Sequence, residues 1–146
     1  MARPLALECR GITKTFGRIV ANKNCDLEVY QGEILAILGE NGSGKTTLMN
    51  MVAGIYFPDE GRIFVNGEEA TIASPKDAFS YRIGMIHQHF KLVDVFTACE
   101  NVALGVEDEG RYRLADVRRK VIEITQRYGF IIDPDKRVAD MSVSEK

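Results

Sequence analysis

Eight consecutive residues carry the clearest chemistry in this sequence. Gly39-Glu40-Asn41-Gly42-Ser43-Gly44-Lys45-Thr46 fits the pattern GxxxxGK[ST] at every fixed position. A loop that grips phosphate must turn successive backbone N–H groups inward, and glycine reaches the required angles without steric cost. The helix expected to begin near Lys45 aims the positive end of its dipole at the same anion. The Lys45 ammonium then reaches the β- and γ-phosphates, and the Thr46 hydroxyl is placed to ligate Mg²⁺. The spacing predicts a nucleoside-triphosphate site.

Other reactive residue types form no comparable constellation. Cys9, Cys25 and Cys99 are far apart, odd in number and without a CxxC pair. Neither a disulfide framework nor a thiolate zinc site is suggested, and a reducing compartment fits best. His87 and His89 would share one face of a strand, like half a metal site, but no third ligand lies at usable spacing. Arg111, Arg113, Arg118, Arg119 and Lys120 are interleaved with acids on a predicted helix. They read as a solvated face, with contact to a partner as the alternative.

The phosphate loop needs a strand before it and a helix behind it. Glu33 to Leu38 is a short, nearly continuous apolar run, as expected of a strand buried on both faces in a parallel sheet. Lys45 to Ala53 places Leu48, Met51 and Val52 at helical spacing, and Gly54 is a natural stop. Upstream, Leu5, Leu7 and Cys9, then Cys25, Leu27 and Val29, alternate with polar neighbours around a break at Gly17, which predicts paired strands. Arg62 to Val65 runs into Asn66-Gly67, a strong hairpin signal.

Helical signals dominate the second half. Ser74 precedes Pro75 as a cap, Thr97 and Glu100 have capping-box spacing, and Ile83 to Ile86 is a second candidate for a buried strand. Leu114, Val117, Val121, Ile124 and Tyr128 predict a helix from about Leu114 to Tyr128, stopped by Gly129. After Gly129 no further strand–helix unit is visible, so a parallel sheet opened at Glu33 is left with few partners.

Composition removes several function classes. With 146 residues, 45% of them hydrophobic, the chain can bury a core without disulfides or a structural metal, and it is too apolar for disorder. Nineteen Lys and Arg against 21 Asp and Glu leave a net charge of −2, which disfavours a nucleic-acid partner held by a broad basic field. The N-terminus lacks a signal-peptide core. The chain's longest apolar run, Ile34 to Leu38, is far short of the roughly 20 residues that cross a bilayer.

Which phosphate-loop class applies is decided by the rest of the chain. The DxxG and [NT]KxD elements of a GTPase are absent, and nothing marks the acceptor pocket of a small-molecule kinase. By contrast, five segments occur in a familiar order: Lys14-Thr15-Phe16-Gly17, Gly39 to Thr47, Gly84-Met85-Ile86-His87-Gln88-His89-Phe90, Phe96 to Gly105, and Met141-Ser142-Val143-Ser144-Glu145-Lys146. Together they resemble the ATP-binding cassette of ABC transporters across the whole chain, with wording closest to importer cassettes for simple sugars and nucleosides.

That resemblance implies an α/β fold, the P-loop NTPase cassette. It would comprise an antiparallel β region, a P-loop strand–helix unit and a partial helical subdomain. Residues 1–146 would be the N-terminal part of one ATP-binding domain, with a β-rich nucleotide core over about 1–88 and a helical subdomain over about 89–146 that ends at the signature motif. ATP and Mg²⁺ are the implied cofactors, held by Gly39, Glu40, Asn41, Gly42, Ser43, Gly44, Lys45, Thr46 and Thr47. Phe16 stands where the family stacks adenine, a role an aromatic face fills without base-edge hydrogen bonds. Gln88 matches the glutamine that reaches Mg²⁺ and the attacking water; an amide both donates and accepts, so it orients water without titrating. The implied partners are transmembrane permease subunits and a second cassette, at the cytoplasmic face of the cell membrane.

The resemblance also has departures. Ser142 keeps the serine of the family signature, LSGGQ, which approaches the γ-phosphate bound by the opposite cassette. The second glycine is Ser144 and the glutamine is read at Lys146, so either the signature is weakened or these last residues are not representative. A Walker B strand ending in Asp, then Glu, is also expected. Phe90-Lys91-Leu92-Val93-Asp94 is interrupted by Lys91, and Phe130-Ile131-Ile132-Asp133 is too short and continues into Pro134. The expectation is therefore a cassette truncated before Walker B, inactive by itself, from an importer subunit that hydrolyses ATP when intact. A non-transport ABC ATPase and a non-hydrolysing regulatory nucleotide-binding module are the alternatives.

Overall fold

The computed structural model describes residues 3–87, 91–105 and 113–146. They fall into two compact units, Met1–Ile86 and His87–Lys146.

The first unit is built on a long hairpin. Strands β1 (Leu5–Phe16) and β2 (Ile19–Tyr30) pair antiparallel and turn at Gly17-Arg18, where Gly17 takes φ 61°. Strands β3 (Glu60–Val65) and β4 (Glu68–Ala70) form a second hairpin, and the antiparallel order is β2-β1-β3-β4. Its turn puts Asn66 at φ 52° and Gly67 at φ 85°, the paired positive angles that a tight two-residue turn requires. Inside β1 the register slips between Cys9 and Ile12, where the Gly11 N–H donates to Asp26 Oδ1 at 2.6 Å. That irregularity moves Ile12 onto the buried side with Cys9, which strict alternation would not do.

Helix α1 (Lys45–Val52) contributes Leu48, Met51 and Val52 to one core with Cys9, Ile12, Ile63 and Val65. Full burial of side chains such as Ile12 and Met51 stabilises by about 1.5–3 kcal/mol each. The chain leaves α1 through Gly54 at φ 73°, as its sequence position predicts. A Cβ there would lie 2.2 Å from Ser74 O, so the segment opening helix α2 (Pro75–Ser80) rests on a bare Cα. Ser74 Oγ caps α2 by accepting from the Asp77 N–H at 3.2 Å.

One expectation for this unit fails. Glu33 to Leu38, expected as a buried parallel strand, pairs with no strand among the described residues, and Ile34 and Leu38 are 100% and 92% exposed. Ile83 to Ile86 likewise forms no strand, with Ile86 at 92%. An apolar run becomes a buried strand only when neighbours bond to its edges and layers cover its faces. The described sheet is wholly antiparallel and offers these runs neither.

The second unit pairs two helices, α3 (Ala98–Leu104) and α4 (Leu114–Tyr128). α3 opens with the predicted capping box: Thr97 Oγ1 accepts from the Glu100 N–H at 3.2 Å, and Glu100 Oε2 accepts from the Thr97 N–H at 2.8 Å. Cys99 packs against Val117 and Val121, while Ile124 and Tyr128 at the end of the same stripe stay exposed. Gly129 ends α4 at φ 72°. The chain then returns to α3, with Cys99 N donating to Pro134 O and Val138 N to Phe96 O, both at 2.9 Å, which buries Val138. On α4, Arg118 pairs with Asp135 at 2.6 Å and Arg119 with Asp116 at 2.9 Å, both exposed; Arg111 lies outside the described residues.

Candidate functional site

The phosphate-loop residues come together around one ammonium group. Lys45 Nζ donates to Gly39 O at 2.7 Å, to Glu40 O at 2.6 Å and to Ser43 Oγ at 3.3 Å. The loop thus folds over its own lysine and stations a positive charge at the start of α1. Gly42 and Gly44 take φ 83° and 86°, a region that side-chain-bearing residues rarely enter. Gly44 is the N-cap of α1, no side chain caps the helix, and its first turn contains no acid. The first-turn N–H groups therefore remain without side-chain acceptors and point toward any anion the loop admits. Thr46 is exposed in that first turn and Thr47 half-buried beside it; Asn41 and Gly42 form the exposed tip.

Gly44 is held from behind by β2. A Cβ on it would lie 2.4 Å from Ala21 O and 2.8 Å from Asn22 Nδ2. Asn22 is buried, and its Nδ2 donates to Gly44 O at 3.3 Å. Its Oδ1 has no partner among the described residues. No sequence signal marks this residue: strict alternation puts Asn22 on the face opposite Cys25 and Leu27, and the register irregularities opposite Lys14 and Thr15 are not legible in residue types.

Phe16 ends β1 and is 42% exposed. Its ring meets Tyr56 edge-on with centroids 5.1 Å apart, and Lys14 Nζ lies 5.6 Å from its centroid. Beside it, Asp59 Oδ1 accepts from Lys14 Nζ at 2.7 Å, and Asp59 Oδ2 accepts from the Thr15 N–H at 2.7 Å and the Thr15 hydroxyl at 2.8 Å. The Lys14 ammonium first, then the Thr15 amide and hydroxyl, hold the Asp59 carboxyl down at about 2.

Gln88, with His89, lies outside the described residues, and His87 is half-buried. No group of three or more His, Cys, Asp or Glu able to hold a metal occurs among the described residues. Neither Walker B candidate ends a strand: Asp94 faces Lys146 at 3.9 Å, and Asp133 Oδ1 accepts from the Asp135 N–H at 2.9 Å. In the second unit Ser142 is exposed, its hydroxyl 3.0 Å from that of Ser144. Counted from Met141, the fifth signature position is Glu145, which corrects the placement of the glutamine at Lys146. Glu145 Oε2 accepts from the Ser142 N–H at 2.7 Å, and Lys136 Nζ lies 2.8 Å from Oε1. That ammonium, then the Ser142 amide, holds the Glu145 carboxyl down at about 2.

The fold is that of an ATP-binding cassette. It matches a nucleotide-free ATP-binding cassette from an ABC transporter with a TM-score of 0.76 at 25% identity, over 94% of this chain and 59% of that one. The ADP conformation of another transporter cassette matches with a TM-score of 0.77 at 24% identity, over 97% of this chain and 60% of that one. The chain belongs to the ABC transporter family, whose profile matches residues 22–146.

Its sequence is 44% identical to the nucleoside import ATP-binding protein NupA of Lactococcus lactis subsp. cremoris, over 100% of this chain and 29% of that protein. It is 49% identical to the guanosine import ATP-binding protein NupO of Bacillus subtilis, over 94% of this chain and 27% of that one. A ribose import ATP-binding protein, RbsA 1 of Burkholderia thailandensis, is 42% identical over 96% and 28% respectively. The chain thus spans less than a third of the curated relatives it matches.

Proposed function

We propose that this chain forms part of the ATP-binding subunit of an ABC importer for a nucleoside or sugar-like solute. Within it, Gly39 to Thr47 cradle the phosphates of ATP, Lys45 reaches the β- and γ-phosphates, and Phe16 stacks on the adenine. Thr46 and Gln88 offer hydroxyl and amide oxygens, the hard donors that suit Mg²⁺, which when bound neutralises phosphate charge. Gln88 also orients the attacking water, and Ser142 faces the γ-phosphate held by a second cassette. Hydrolysis belongs to the intact subunit paired with transmembrane permease subunits at the cytoplasmic membrane face; the 146-residue chain by itself is inactive. Among the described residues no helix is long and apolar enough to cross a membrane.

The observation that carries this reading is the Lys45 ammonium drawn onto the loop carbonyls at a helix start that no side chain caps. Phosphate oxygens entering the loop replace those carbonyls as its partners. Lys45→Ala should therefore abolish measurable Mg-ATP binding while the fold is retained, since a charge-assisted bond to phosphate contributes roughly 1.5–3 kcal/mol, and more where desolvated. Calorimetry on the intact subunit checks this. A variant that binds ATP within twofold of the parent removes the assignment.

A further inference from the structure

The turn that follows α1 is tied to the end of β1 more tightly than a connecting loop requires. Among the described residues Asp59 makes four hydrogen bonds, all to the three residues before Phe16: its N–H donates to Thr13 O at 2.9 Å, and its carboxylate accepts from the Lys14 ammonium and from the Thr15 amide and hydroxyl at 2.7–2.8 Å. Two residues on, Gly61 takes φ 94°, and a Cβ there would lie 2.6 Å from both Arg10 O and Gly11 O, so the turn runs against β1 with no side chain between them. Tyr56, at the start of the same turn, sets its ring edge-on to Phe16.

We infer that Asp59 is a positioning residue for the nucleotide base, and that Tyr56 is the second aromatic of the base platform. Phe16 is the last residue of a strand beside an exposed two-residue turn, where a strand end frays unless something anchors it. The Asp59 carboxylate anchors Thr15 by its amide and hydroxyl together, which fixes the backbone from which Phe16 projects. Tyr56 then closes one side of the ring, since an edge-to-face pair constrains its tilt, and leaves the other side to a purine. Asp59 itself need not touch ATP. Its effect is confined to the base half of the site, because the phosphate half is held separately by Lys45, Gly44 and Asn22. This inference rests on the proposal that Phe16 stacks on adenine.

The test compares ATP with inorganic tripolyphosphate, which has the phosphates and no base, both with Mg²⁺ on the intact subunit by calorimetry. Asp59→Asn and Tyr56→Leu should each weaken ATP several-fold and leave tripolyphosphate within twofold of the parent. In the Phe16→Ala background neither should weaken ATP further, because there is no ring left to position. Should Asp59→Asn fail to fold, Thr15→Val, which deletes only the hydroxyl contact, should show the same selective loss at smaller size. Unchanged ATP affinity in these variants overturns the inference while leaving the nucleotide site in place. Equal losses for ATP and tripolyphosphate also overturn it, since they mark a general structural role. If Phe16→Ala itself leaves ATP binding unchanged, the stacking proposal fails and this inference with it.

Discussion

Gly42 and Gly44 differ in a way that predicts unequal costs for the same substitution. Both have φ above 80°, so an alanine at either adopts a left-handed conformation, which costs roughly 1–2 kcal/mol. At Gly42 a Cβ meets nothing within 4 Å, and the conformational cost is the whole of it. At Gly44 it also meets backbone, Ala21 O at 2.4 Å, near the start of β2. A carbonyl in a paired strand cannot rotate away as a side chain does. Either the strand or the loop must shift, an overpacking penalty of about 1–3 kcal/mol. Gly44→Ala should thus destabilise by about 1–3 kcal/mol more than Gly42→Ala. Urea unfolding of the nucleotide-free protein followed by far-UV circular dichroism measures both. Losses equal within about 0.5 kcal/mol would refute the claim that β2 backs the loop by direct backbone contact.

Three further outcomes follow from other parts of the molecule. Phe16→Ala should weaken ATP and GTP by similar factors, on the order of 1–2 kcal/mol, because stacking reads a π-face and not a base edge; competition binding that shows loss for ATP alone contradicts it. Thr97→Ala removes one half of the capping box on α3 and should cost about 1 kcal/mol of unfolding free energy, seen as a lower urea midpoint. The Asp59 carboxyl is held near 2 against an ordinary value of 3.8, so it contributes stability above pH 4 that is lost as pH falls from about 4 toward 2. The stability gap between parent and Asp59→Asn should therefore close over that interval, and acid titrations of the two proteins that stay parallel down to pH 2 would contradict it.

What could be read from the sequence was local. The capping box at Thr97 and Glu100, the cap at Ser74, the left-handed stops at Gly54 and Gly129 and the turn at Asn66-Gly67 all appear where residue type places them. Each is decided within about four residues, so the rest of the chain hardly enters. The run from Glu33 to Leu38 departs from its expected strand because apolar composition reports what a segment needs, not whether neighbours are present to supply it. Asp59 stands in Pro58-Asp59-Glu60-Gly61, a stretch whose residue types signal a turn and nothing more. Its partners Thr13, Lys14 and Thr15 lie 44 to 46 residues earlier, and nothing in those four residues indicates which strand the turn will face. Asn22 was missed for the same reason, since its partner Gly44 is 22 residues away.

These non-local contacts share a geometry that explains why one short helix serves two halves of a site. α1 is eight residues long, about 12 Å at 1.5 Å per residue. At its N-terminus, Gly44 abuts Ala21 and Asn22 of β2; beyond its C-terminus, Tyr56 and Asp59 engage Phe16, Lys14 and Thr15 of β1. Lys14 and Asn22 are themselves partners across the β1–β2 ladder. The phosphate loop and the aromatic platform are therefore fixed to the same hairpin, a few residues apart, and the helix between them is clamped at both ends. A change in hairpin register would move both grips together, whereas a change in Asp59 moves only one. That difference is what makes the proposed base and phosphate contributions separable by mutation.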